Sequence, residues 1–179
     1  IRINGENVVI KSPKHAIALG IGMVHQHFML IDTLSVLDNI MLGAENGWRL
    51  APAASALRAK LKRIAGDYGL DVDPDALVDE LPVGLQQRVE ILKALVRDAQ
   101  ILILDEPTAV LTPDEADQLF DLLRVLRDEG KTILLITHKL EEIMHVTDHV
   151  SVMRRGALIA TFETARTSAA ELAEAMVGR

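Results

Sequence analysis

Asp105 and Glu106 stand side by side directly after four uninterrupted apolar residues, Ile101-Leu102-Ile103-Leu104, and directly before Pro107. An apolar run without a polar break reads as a strand buried on both faces, as in a parallel sheet. In an open α/β sheet the carboxyl ends of the strands form the edge that carries ligands. Paired carboxylates at such an edge are costly to desolvate unless a cation offsets them. A metal–nucleotide complex is the usual offset, so the pair points to nucleotide hydrolysis. The alternative is a strand that ends in a solvated acidic turn.

His138 follows a second apolar stretch, 132–137, and so occupies the same topological place one strand over. It reads either as a structural histidine or as a group that contacts a phosphate. Gln26 follows a third such stretch, 20–25, and by itself is ordinary polar surface. His25 and His27 would form a metal pair only with a third ligand, and none is evident, so no metal site is assigned there.

The elements that must position these groups follow from local pattern. Residues 1–10 read as a hairpin turning at Asn4-Gly5. Ser12-Pro13 opens a short helix at 15–19, and Thr33 or Ser35 caps a helix through Leu42 with Gly43 as its stop. Leu57, Leu61 and Ile64 recur at helical spacing over 52–65. Asp73-Pro74 predicts a helix towards Leu81, and a further helix spans 86–97 with Val89, Leu92 and Val96 inward. Thr112-Pro113-Asp114-Glu115 is a capping box for a helix ending at Gly130. A strand at 132–137, a short helix at 139–145 and two strands about Arg155-Gly156 follow. A last helix is capped by Ser168 and Glu171 and stopped by Gly178. The pattern predicts an α/β core, 1–32 and 98–179, with a helical subdomain over 33–97.

Composition narrows the function. With 179 residues the chain is long enough for one sizeable core, and 49% hydrophobic residues argue against disorder. The net charge of −7 and the lack of basic clusters exclude non-specific nucleic-acid binding, so no nucleic-acid partner is expected. No apolar run is long enough to span a membrane, which leaves membrane association to a partner. The absence of cysteine fits a reducing compartment. The chain opens at Ile1 directly in strand-like sequence, which reads as an internal cut.

Taken in order, MVHQHF at 23–28, LPVGLQQRVEILKAL at 81–95, ILILDEPTAVLTP at 101–113 and ITHKLEE at 136–142 resemble the nucleotide-binding domain of ATP-binding-cassette (ABC) transporters. The resemblance covers nearly the whole chain. It implies a P-loop NTPase-like α/β core with a mostly parallel sheet and a helical subdomain. Its cofactors are ATP and Mg²⁺. Asp105 matches the Walker B acid that holds Mg²⁺, and Glu106 the acid that polarises the attacking water. His138 matches the switch histidine. Gln26 matches the Q-loop glutamine, which senses metal and terminal phosphate. Gly84 and Gln86 lie in the match to the signature loop, which serves ATP held by the opposite domain. There Pro82 replaces the usual serine and supplies neither hydroxyl nor N–H. The implied partners are a second nucleotide-binding domain and transmembrane permease subunits, and the implied place is the cytoplasmic face of the cell membrane. GIGMVHQHFML, PVGLQQRVEILKAL and AEAMVGR resemble importers of simple sugars and nucleosides most closely, leaning towards nucleosides.

No Gly-x-x-x-x-Gly-Lys-Ser/Thr segment occurs in the 179 residues. The resemblance places that phosphate loop, and the strand leading into it, upstream of Ile1. The segment then corresponds to the N-terminal nucleotide domain of a longer polypeptide, cut before its phosphate loop and after its last helix. The expectation is a marginally stable chain that binds MgATP poorly alone. A catalytically silent scaffold or regulator is the alternative. Chromosome and DNA-repair ATPases of the same superfamily carry long insertions, for which the stretch between Gln26 and Leu81 has no room.

Overall fold

The structure, a computed structural model, describes residues 1–42 and 50–178, without the side chains of 50–53. Gly43, the expected stop of the second helix, lies outside the described residues.

Local signals account for most elements. Asn4 and Gly5 both adopt left-handed backbone (φ 50° and 84°) and turn β1 (Arg2–Ile3) back onto β2 (Glu6–Asn7). Ser12 caps α1 (Pro13–Ala18), and β3 (Ile21–Val24) follows. Of the two candidate caps it is Ser35 whose hydroxyl accepts from Asp38 at the start of α2 (Val36–Met41). Next come α3 (Leu50–Tyr68), α4 (Val83–Val96), β4 (Ile101–Asp105), α5 (Pro113–Asp128) and β5 (Thr132–Ile136). The chain closes with α6 (Leu140–Val146), β6 (His149–Arg154), β7 (Ala157–Glu163) and α7 (Ala169–Val177), which ends on left-handed Gly178.

Two expectations about helices are corrected. The stretch from Asp73 to Leu81 is not an α-helix but a turn followed by a 3₁₀ segment, Val78–Glu80. Asp73 does accept from the Asp75 N–H, as a cap would. However, the carbonyls of Pro74 and Ala76 accept from the N–H groups of Leu37 and Val36, the unpaired donors at the start of α2. With these carbonyls turned towards α2, the segment closes no helical ladder of its own. Conversely, α4 begins a turn before Gln86, because the Pro82 carbonyl accepts from both Leu85 and Gln86.

The core is a parallel sheet in the order β3-β4-β5, with Val24, Leu104 and Leu135 in one register row and Met23, Ile103 and Leu134 in another. One face is covered: Val24, Leu102 and Leu104 pack with Leu92 and Leu95 of α4, Leu123 and Leu126 of α5, and α2 and α3 residues in one cluster. The other face is open, with Met23 40%, Leu134 50% and Ile136 50% exposed. The strands are therefore not buried on both sides, as their apolar runs predicted. The class is α/β with a parallel core sheet, as expected. β6 and β7 form a separate antiparallel ribbon, packed with α6 and α7 through Ile143, Val150, Val152 and Leu172.

Candidate functional site

The chain turns sharply where β4 ends. Strand alternation would send the residue after Asp105 to the covered face with Leu102 and Leu104. Glu106 instead adopts φ 46°, a conformation that a non-glycine residue holds only where its surroundings enforce it. Its N–H donates to the Ile136 carbonyl (2.8 Å) and its carbonyl accepts from Ala109, so the turn is pinned to the end of β5. The side chain is thereby re-aimed along the sheet edge. There Glu106 Oε1 lies 2.7 Å from His138 Nδ1. An ionised carboxylate only accepts, so this contact places the imidazole proton on Nδ1. The His138 ring is 67% exposed and Glu106 26%, so the pair faces solvent at the rim.

Asp105 stands opposite Ile136 on the open face, and among the described residues its carboxylate has no hydrogen-bond or ion-pair partner. Register brings Gln26 to the same edge. Val24 pairs with Leu104, and Gln26 lies two residues beyond Val24, in the bend that follows β3 at the carboxyl end of the strand beside β4. Gln26 is exposed. Glu106, His138, Asp105 and Gln26 thus come from three strand ends to one edge. The oxygens of Asp105 and Gln26 are the hard donors that Mg²⁺ takes, and that ion commonly keeps waters and binds through only one or two carboxylates plus phosphate. The donor set fits the ion on that chemistry. Among the described residues no cluster of three or more His, Asp or Glu stands ready to hold a metal without phosphate.

Gly84 and Gln86 lie elsewhere. Gly84, in the first turn of α4, packs against the N-terminus of α5, where an added Cβ would overlap Glu115 Oε1. It lines a cleft of about 470 Å³ between α3, α4 and α5. His138 lines a different cleft, of about 710 Å³, between α5 and α6. Gln86 donates through Nε2 to the carbonyls of Val78 and Leu81, so its amide is turned inward onto the preceding segment. Pro82 is the N-cap residue of α4 and makes no side-chain cap. Gln87, buried, donates to the Pro107 carbonyl at 2.5 Å and ties α4 to the turn after Glu106.

Sequence reasoning passed over the polar groups that hold the edge together. Glu142 is buried and accepts from Thr137 (3.1 Å), Thr108 and Lys139 (3.0 Å). Glu90, 3% exposed, accepts from the Met29 N–H (2.8 Å), and Lys93 donates to the Met29 carbonyl (2.9 Å), fixing the loop that carries Gln26. Asn39, 1% exposed, bonds the N–H and carbonyl of Ile31 further along that loop. The available signal was an acid within an apolar helical face, as at Val89-Glu90-Ile91. Glu115 is held below the usual carboxylate range, chiefly by the backbone N–H of Thr112 and then by its hydroxyl, partly opposed by desolvation.

The fold is that of an ATP-binding cassette. The structure superposes on the ADP conformation of MJ1267, an ATP-binding cassette of an ABC transporter, with a TM-score of 0.78. The match covers 98% of this chain and 72% of that one, at 23% identity. Residues 1–109 match the sequence model of the ABC transporter family, and the chain belongs to that family. It is 50% identical over its full length to the nucleoside import ATP-binding protein NupA of Lactococcus lactis, covering 35% of that protein. It is 47% identical to the glucose import ATP-binding protein TsgD13 of Haloferax volcanii, covering 38% of it. The chain therefore spans about a third of the length of these curated relatives.

Proposed function

We propose that this chain is part of the ATP-hydrolysing component of an importer for nucleosides or simple sugars. The observation that carries the reading is the Glu106–His138 contact of 2.7 Å beside Asp105, which has no partner among the described residues, at the end of a parallel sheet. Phosphoryl transfer to water needs a positioned nucleophile and charge compensation, with little covalent chemistry from the protein. Glu106 accepts a proton from water, or orients it, while His138 donates Nδ1–H to the carboxylate to hold it in place and lies beside the terminal phosphate. Asp105 and Gln26 supply oxygens towards Mg²⁺, which when bound neutralises charge on the phosphates.

The 179 residues contain no phosphate loop, and the relatives are about three times as long. The cradle for ATP is therefore assigned to the remainder of a longer polypeptide, and the chain alone binds MgATP poorly. The helical stretch 33–97 serves as the subdomain that presents Gly84 and the N-terminus of α4 to nucleotide on a second nucleotide-binding domain. Among the described residues no helix is long and apolar enough to cross a membrane. Transport then needs permease subunits, with this component at the cytoplasmic face. The names of the relatives support nucleoside or sugar as cargo.

In the complete transporter, Glu106→Gln abolishes hydrolysis while ATP binding is retained. Undiminished turnover would refute the assignment of Glu106. Tight stoichiometric binding of MgATP to the 179-residue chain would refute the missing cradle.

A second reading, a catalytically silent domain that acts as scaffold or regulator, is favoured by Pro82, which leaves α4 without a side-chain cap. Loss of one donor to a developing charge costs about 10²–10³ in rate in other enzymes. The coding sequence upstream of Ile1 separates the readings, since an intact phosphate loop there removes the main support for silence.

A further inference from the structure

Glu106 and His138 are carried by two loops, and both loops converge on one buried side chain. Glu142, on α6, has its carboxyl 9% exposed. Oε1 accepts from the hydroxyl of Thr108, two residues after Glu106, and from Lys139 Nζ at 3.0 Å. Oε2 accepts from the hydroxyl of Thr137, one residue before His138, at 3.1 Å. Lys139 closes the ring by donating to the Thr108 carbonyl (3.2 Å) and hydroxyl (2.9 Å). Both oxygens of a desolvated carboxylate are thus engaged by one loop or the other.

Such a tie has work to do here. The His138 ring is 67% exposed, so side-chain packing does not hold it. Glu106 sits in the left-handed region, and a strained residue keeps its conformation only where neighbouring contacts over-determine it. Among the described residues the Glu106–Ile136 backbone bond, the Lys139–Thr108 bonds and the Glu106–His138 contact also join the two loops, and the Thr108–Glu142–Thr137 bridge ties both through a single buried side chain.

We propose that Glu142 is a positioning residue: its carboxylate clamps the turn after β4 to the turn after β5 and so sets the Glu106–His138 separation. The kinetic consequence rests on the hydrolytic reading above; the geometric one does not. Glu142→Gln keeps the shape but replaces one acceptor oxygen with an amide NH2 that cannot accept, and removes the negative charge that faces Lys139. Thr137→Val removes one arm of the clamp, and Thr137→Ser retains its hydroxyl.

The test uses the complete transporter that contains this segment. Misplacing a reacting group by about an ångström can cost on the order of 10²-fold in rate. Glu142→Gln and Thr137→Val are therefore expected to lower kcat by about tenfold or more, with KM for MgATP within about twofold. Thr137→Ser restores turnover. In a His138→Ala background Glu142→Gln causes little further loss, because both act through the same pair. Losses that multiply, or a change in KM alone, overturn the proposal. Absence of turnover in the unmodified transporter refutes the hydrolytic reading instead, and the geometric arm then decides. In structures of the Glu142→Gln transporter, Glu106 and His138 are expected beyond hydrogen-bonding distance; an unchanged contact overturns the clamp. If Glu142→Gln does not assemble, Thr137→Val against Thr137→Ser makes the same comparison.

Discussion

Gly84 and Glu115 lie so close that a methyl group on Gly84 would overlap Glu115 Oε1 and come within 2.8 Å of its carboxyl carbon. Glu115 is also the third residue of α5, where its carboxylate accepts from the Thr112 N–H at 2.9 Å and completes a capping box. The glycine of α4 and the cap of α5 are thus one packing unit. In an ordinary helix, Gly→Ala stabilises by up to about 1 kcal/mol. Here the methyl has to evict Glu115 from its cap, so Gly84→Ala should lower the melting temperature by about 2–4 °C. In a Glu115→Ala background the same change should be neutral or stabilising. A rise in melting temperature for Gly84→Ala alone would contradict the contact.

The same cap has a pH signature. Glu115 ionises below the usual carboxylate range because the Thr112 N–H and hydroxyl stabilise its anion. A lowered folded-state pKa contributes stability that is present at neutral pH and is lost as pH falls from the ordinary glutamate value through the folded one. Glu115→Gln should therefore flatten part of the acid limb of a stability–pH curve. Parallel curves for the two proteins below pH ~5 would remove the cap from the account.

Tyr68 is the chain's single tyrosine, and its pKa is pushed up to about 12 by desolvation and by donation to Glu129. The folded state favours the neutral phenol. Its contribution is whole below the ordinary value of about 10 and disappears as pH rises from there through the folded value. The tyrosinate absorbance band of the folded chain should stay undeveloped at pH ~10, where a free phenol is half ionised. Half-ionisation at that pH without unfolding would show that the Glu129 contact is not made. Tyr68→Phe should remove this alkaline component of stability.

Glu90 anchors the loop bearing Gln26 through the Met29 N–H. Removing a buried acceptor leaves that donor unsatisfied, at a cost of about 1–3 kcal/mol. Glu90→Ala should accelerate hydrogen exchange at the Met29 amide by at least about tenfold, with exchange in α5 unchanged. Equal acceleration in both places would mean global destabilisation and no local anchor.

Much of this protein is written in short-range chemistry. Asn4-Gly5, Ser12-Pro13, the Thr112–Glu115 box and Ser168 act within a few residues, and each forms the element its residue types dictate. The site's edge is also local in origin: apolar runs become parallel strands, and Asp105-Glu106, Gln26 and His138 follow those runs directly. Three outcomes depended on the tertiary structure. Whether 73–81 became a helix depended on where the donors at the start of α2 lay, since the carbonyls of Pro74 and Ala76 point to those donors and not along a helix of their own. Which strand face was covered depended on where α4 and α5 packed, because apolar composition alone does not say how many faces find a partner. The direction of Glu106 depended on a single left-handed φ, enforced by Ile136 across the sheet and by contacts converging on Glu142. Sequence by itself determined which groups could do chemistry and at which end of the sheet. Only tertiary contacts, made between residues far apart in the chain, turned Glu106 towards His138.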